Sequence, residues 1–100
     1  MTIQKYEDFF KDKEVETMLL DYKARLQIEL KKYTHAYVLV DIKEDILSVE
    51  FYFSHNLDYI FNEYSITSKI ISGLKVEDLA KSIIDKYKRV INIRYFKNSV

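Results

Sequence analysis

Two runs of alternating apolar residues lie back to back in the middle of the chain and constrain its fold more than any other feature. They span residues 35–42 and 46–54, and Lys43-Glu44-Asp45 separates them. An alternation with a period of two places the apolar side chains on one face of a strand, so the runs predict a β-hairpin. The inward face of this hairpin would contain Ala36, Val38, Val40, Leu47, Val49, Phe51 and Phe53.

The register of the hairpin follows from matching the two apolar faces. Pairing Val38 with Phe51 keeps the faces in phase and gives the tightest turn. The same register places Tyr37 opposite Tyr52 on the outward face, which also carries Leu39. A shift by one residue would exchange the two faces, so the hydrophobic pattern alone predicts this pairing.

Two segments have the three- and four-residue spacing of amphipathic helices. The first runs from Glu14 to Lys32, with acidic residues in its first turn and lysines in its last. The second runs from Val76 to Arg89. Their inward faces would contain Val15, Leu19, Tyr22, Leu26, Leu30 and Tyr33 in the first helix, and Val76, Leu79, Ala80, Ile83, Ile84 and Tyr87 in the second.

The remaining segments give weaker signals. Residues 2–11 predict a short N-terminal helical arm, and residues 91–95 alternate like a final strand. Residues 57–71 fit helix and strand patterns alike, and we interpret them as a short helix followed by a strand over 66–71. The order is then α-β-β-(α)-β-α-β. It predicts an α+β fold, with a hairpin-based antiparallel sheet packed by two amphipathic helices.

Length and composition bound the class of protein. One hundred residues, 48% of them hydrophobic and 32% charged, suit one globular domain spanning 1–100. The chain has no run long enough to span a membrane and no cysteine for disulfides, so we expect a cytoplasmic protein. Its abundant Lys, Ile and Tyr have AT-rich codons. That bias favours a low-GC bacterium, its phages or its mobile elements as the source.

The sequence contains little that resembles catalytic machinery. A single glycine cannot build a phosphate-binding loop, and no familiar nucleotide or nucleophile motif is present. His35 and His55 would point to opposite faces of the hairpin, which argues against a shared metal ion. Asp41 and Glu50 lie diagonally on one face and are the remaining candidates for paired carboxylates. We therefore expect no enzyme activity, no cofactor and no metal site.

The outward face of the hairpin is the first candidate for a binding surface. Tyr37, Leu39 and Tyr52 are large side chains among polar neighbours, a composition typical of protein interfaces. In the alternative, aromatic residues of the arm at 2–11 cover this face within the same molecule. The first interpretation predicts a protein partner and self-association as a homodimer.

The C-terminal part of the chain offers a second candidate. Residues 33–65 carry a net charge of −5 and residues 66–100 a net charge of +5. Two arrangements agree with this asymmetry: opposite charges that interdigitate on one surface, or a polarised surface that steers a partner. A basic strip suited to nucleic acid phosphates would comprise Lys81, Lys86, Lys88, Arg89, Arg94 and Lys97.

An α-β-β-β-α order is similar to that of the double-stranded RNA-binding domain. The basic start of that family's last helix is here Val76-Glu77-Asp78-Leu79, and its glycine-proline loop is missing. The similarity is therefore one of topology. The sequence predicts a small non-enzymatic accessory or regulatory protein that binds another protein, with a nucleic-acid-binding module as the alternative and a carboxylate-based enzyme as a distant third.

Overall fold

The computed structural model describes residues 13–90, which form three helices and a three-stranded antiparallel sheet. The predicted α+β class is confirmed. The arm at 2–11 and the strand at 91–95 lie outside the described residues. Within 13–90, no helix has both the length and the apolar content to cross a membrane. The elements are α1 (Lys13–Lys31), β1 (Tyr37–Lys43), β2 (Ile46–Phe53), β3 (Asn56–Tyr64), α2 (Ile66–Ile71) and α3 (Val76–Val90).

The β1–β2 hairpin has the register that the apolar pattern predicts. Val38 lies opposite Phe51, and Tyr37 lies opposite Tyr52. Strand β1 extends one residue beyond its predicted end, because Lys43 pairs with Ile46, so the turn itself consists of Glu44 and Asp45. Strand β2 is the central strand and pairs with β3 on its other edge.

One face of the sheet packs against α1 and α3, and we call it the inner face. Phe51 is at its centre, with its ring 4.1 Å from that of Tyr87 on α3, and Tyr59 stacks on Tyr87 at 5.6 Å. The Tyr87 hydroxyl donates a hydrogen bond to Asp58 Oδ2 at 2.8 Å, so the polar end of this buried ring is satisfied.

Most of the predicted core residues of the three main segments are buried, while Val15, Leu19 and Tyr33 of the first helical segment are only half-buried. The α3 face from Val76 to Tyr87 is buried at every predicted position, and Tyr22, Leu26 and Leu30 anchor α1. In the hairpin the exception is Phe53, which is only half-buried and lines an open groove. The register of β2 against β3 shifts just before it, between Phe51 and Tyr52. This irregularity separates Phe53 from the regular part of the inner face.

The interpretation of residues 57–71 as helix followed by strand is wrong, since the structure has the reverse order. Residues 56–64 form β3, and residues 66–71 form α2. The chain reverses at Ser54 and His55, both with positive φ (53° and 69°), so a two-residue turn returns it along β2. Such turns usually contain Gly or Asn, so this one gave no recognisable sequence signal.

Helix α2 begins with help from a residue distant in sequence. The Thr67 amide donates to Asp45 Oδ1 at 2.8 Å, and the Ile66 amide donates to the Asp45 carbonyl at 3.2 Å. The Thr67 hydroxyl donates to the Glu44 carbonyl at 2.9 Å. The β1–β2 turn therefore supplies the acceptors that a helix N-terminus requires, and it fixes α2 at that end of the sheet.

Candidate protein-binding surface

The face of the sheet opposite the helices, here called the outer face, carries the predicted tyrosine cluster. Tyr37 is 58% exposed and Leu39 is 39% exposed, while Tyr52 is half-buried between its neighbours. Alternation along β1 and β2 puts these three side chains on the side away from the core. The structure thus brings the three residues of the predicted binding surface together.

Strand β3 extends this surface with residues that the sequence analysis missed. Ile60 pairs with Glu50 and is 43% exposed, and Leu57 pairs with Tyr52 and is 50% exposed. Both had been assigned to a helix, and the signal for a strand was the richness of this segment in strand-forming residues. We call Tyr37, Leu39, Tyr52, Leu57 and Ile60 the sheet patch.

A single carboxylate lies within the sheet patch. Glu50 is half-buried between Leu39 on β1 and Ile60 on β3. The Tyr52 hydroxyl donates to Glu50 Oε2 at 3.3 Å. Loss of hydration, together with the negative charge and hydrogen bond of Glu50, raises the pKa of Tyr52 above its usual value. The patch therefore presents an apolar surface with one anionic group at its centre.

An open groove of about 580 Å³ lies at one end of the sheet patch. Its walls include Tyr37, Tyr52 and Phe53, together with both histidines. His35 and His55, which were predicted to point to opposite faces of the hairpin, both line this groove, and His55 belongs to the β2–β3 turn rather than to an extended strand. No group of three or more metal-ligating side chains occurs among residues 13–90.

The candidate carboxylates Asp41 and Glu50 lie diagonally across β1 and β2, as the register predicts. Asp41 lies opposite Ser48, and its Oδ1 is 3.5 Å from Lys23 Nζ on α1. Glu50 instead contacts Tyr52. The two acids therefore have different partners, and Asp41 serves as one half of a surface ion pair between β1 and α1.

Most acidic side chains of the middle segment have a partner within the fold. Asp58 accepts a hydrogen bond from Tyr87, and Asp45 accepts one from Thr67. Glu63 forms an ion pair with Lys69. With Asp41 paired to Lys23 of α1 and Glu50 accepting from Tyr52, five of the six acidic side chains in 33–65 have intramolecular partners, and two of these partners are lysines.

The predicted basic strip is described only in part, since Arg94 and Lys97 lie outside the described residues. The other members, Lys81, Lys86, Lys88 and Arg89, are all exposed on α3. Lys86 lies 5.1 Å from the centre of the Phe61 ring, a cation–π geometry that directs it towards β3. Exposed Asp85 falls one turn from both Lys81 and Lys88, so it interrupts the positive surface.

Comparison with known proteins finds no matching protein-family model and no significantly similar curated protein or solved structure.

Proposed function

We propose that this chain is a small non-enzymatic accessory or regulatory protein of the cytoplasm that binds another protein through the sheet patch and also self-associates. The observation that carries the proposal is the apolar surface across all three strands. Tyr37, Leu57 and Ile60 each expose more than two-fifths of their surface on one continuous sheet face. Exposed apolar groups that cluster in this way, with tyrosines among them, are typical of binding surfaces.

The tyrosines are suited to be the energetic anchors of such an interface. Tyr37 and Tyr52 are directly paired across β1 and β2, which positions both rings on a rigid sheet. A rigid aromatic side chain loses little conformational entropy when a partner covers it, and Tyr is enriched among residues that dominate binding energy. The groove beside them gives a partner side chain a recess to enter.

A capture experiment with matched surface variants tests this proposal. Immobilised protein is exposed to a nuclease-treated lysate of the source cells, and the captured partner is then purified for affinity measurements. Tyr37→Ala and Tyr52→Ala should each weaken binding about thirtyfold, since truncating an interface anchor commonly costs 2 kcal/mol or more. Lys88→Ala with Arg89→Ala on α3 is the matched control and should leave the affinity unchanged.

A second candidate function, nucleic acid binding, is supported by the exposed basic side chains of α3. Binding of this kind would weaken steeply with salt, because each neutralised phosphate releases counterions. The Lys88→Ala and Arg89→Ala pair would then reduce both the affinity and its salt dependence. A salt-sensitive shift of labelled duplex or single strands that this pair abolishes, in a protein whose tyrosine variants bind normally, would replace the first proposal with the second.

A further inference from the structure

The outward side of helix α1 carries an apolar line that the core does not use. Leu20, Ala24 and Ile28 follow one another at intervals of four residues, and all three are exposed, Leu20 at 58% and Ile28 at 63%. Residues spaced in this way lie one above the other on a helix. Together with Gln27 and Lys31 they border a shallow groove of about 370 Å³. We call Leu20, Ala24 and Ile28 the helix stripe.

The helix stripe lies on the far side of α1 from the sheet. The buried residues of α1 are Tyr22, Leu26 and Leu30, and their line passes on the opposite side of the helix from Ala24. A solvated helix face normally carries polar side chains, so a leucine and an isoleucine exposed to this extent mark a contact surface.

We propose that the occupant of the helix stripe is a second copy of this chain, with the two α1 helices antiparallel and a twofold axis at Ala24. This proposal gives a surface to the self-association in the proposed function. The helix stripe shares no residue with the sheet patch, and the two surfaces adjoin at Lys31, whose Nζ lies 5.5 Å from the centre of the Tyr37 ring. In this arrangement Leu20 packs on the partner subunit's Ile28, and Ala24 meets its own counterpart. A small residue at the axis lets the helices approach to about 8 Å.

The charges along α1 are complementary in this antiparallel arrangement. Acidic residues precede the axis at Glu16 and Asp21, and basic residues follow it at Arg25 and Lys31. Between Glu16 and Lys31 two charges break this pattern, and each has a partner in its own chain: Lys23 lies 3.5 Å from Asp41, and Glu29 lies 3.0 Å from Lys32. Antiparallel pairing brings Asp21 towards the partner subunit's Arg25 and Glu16 towards the partner subunit's Lys31. Within one helix Asp21 and Arg25 are already 3.8 Å apart, so a neighbouring helix would join an existing pair. A parallel pairing would set like charges side by side.

The sheet patch is less suited to the same role. A twofold axis through the centre of the patch would bring two Glu50 carboxylates together between apolar side chains, which is costly without a cation. A dimer through α1 leaves both sheet patches exposed on the outside of the assembly. Each dimer would then offer two copies of the patch, and a partner with repeated sites would bind with increased avidity.

Cysteine cross-linking tests the geometry directly, because the natural chain has no cysteine. Oxidation of Ala24→Cys should give a covalent dimer, since residues at the axis come within the Cα separation of a disulfide. Leu20→Cys alone should not cross-link, but a mixture of Leu20→Cys and Ile28→Cys proteins should. Ser82→Cys, at an exposed site on α3, is the control and should remain monomeric under oxidation. Cross-linking of Leu20→Cys with itself would overturn the antiparallel arrangement.

Sedimentation of the cysteine-free chain supplies the second test. The double variant Leu20→Gln and Ile28→Gln should raise the dimer dissociation constant about tenfold or more, because it removes apolar anchors from the interface. Both side chains are exposed in the monomer, so its thermal unfolding should change little. Ile60→Ala, in the sheet patch on β3, should leave the dimer intact. A natural chain that stays monomeric, or a dimer lost with Ile60→Ala and retained with the double variant, would overturn the helix stripe proposal without affecting partner binding at the sheet patch.

Discussion

The two faces of the sheet differ in what their apolar residues do. On the inner face Val38, Val49 and Phe51 are fully buried under α1 and α3. On the outer face Tyr37 and Ile60 remain 58% and 43% exposed. Burial of the first set stabilises the fold, whereas solvent still reaches the second set and little stability depends on it. Apolar residues that the fold does not need are the ones that indicate binding.

The largest expected effect is a difference in the free energy of unfolding between a substitution on the inner face and one on the outer face. Phe51→Ala should lower the free energy of unfolding by about 3 to 5 kcal/mol, because it leaves a cavity beneath Tyr87 and Tyr59. Tyr37→Ala should change it by less than about 0.5 kcal/mol, as expected for an exposed position. Urea unfolding followed by circular dichroism measures both. Equal losses for the two variants would mean that the outer face is also part of the core.

A smaller effect on stability is expected at the N-terminus of α2, which is hydrogen-bonded to the β1–β2 turn. Asp45→Ala removes the acceptor for the Thr67 amide and should cost about 1 kcal/mol, the usual cost of losing a helix N-terminal cap. Asp45→Asn keeps a side-chain oxygen and is the control, with most of the stability retained. Hydrogen exchange at α2 should rise in the alanine variant alone. Unchanged exchange there would show that burial of Ile66 and Ile70 holds α2 without the cap.

The hairpin and the two long helices were predictable because their signals are periodic and local. The register of β1 with β2 follows from two matching alternations, and the core face of α3 follows from its regular three- and four-residue steps. For the same reason Tyr37, Leu39 and Tyr52 could be placed on one exposed face before the structure was known.

The segment from β3 to α2 was not predictable from such signals. Its turn at Ser54 and His55 uses positive φ without glycine or asparagine, and its helix depends on Asp45, which lies 22 residues before Thr67. Ile66, Ile70 and Ile71 have strand propensity, which burial and the cap outweigh. Missing β3 also meant missing Leu57 and Ile60, the part of the sheet patch that this strand contributes.

The smallest expected effect is on the stability of the protein at alkaline pH. It compares Tyr22, which is buried on α1, with Tyr52 on the outer face. Burial raises the pKa of Tyr22 to about 12 from its usual value of 10.0, and its hydroxyl donates to the Leu74 carbonyl at 3.0 Å. A raised pKa means that folding favours the neutral phenol. The stabilisation is complete below about pH 10 and is lost as the pH rises towards 12.

Tyr22→Phe should therefore flatten the decline of stability between about pH 10 and 12, while lowering stability at neutral pH through the lost hydrogen bond.

Tyr52→Phe is the matched variant on the outer face. The pKa of Tyr52 is also raised, first by desolvation and then by Glu50, but solvent around this residue screens the effect. Its alkaline profile should stay close to that of the natural chain. Urea midpoints measured across this pH range for the natural chain and the two variants test the prediction, because all three proteins share their other ionisable residues. Identical dependences of stability on pH for the two variants would contradict the difference in burial between Tyr22 and Tyr52.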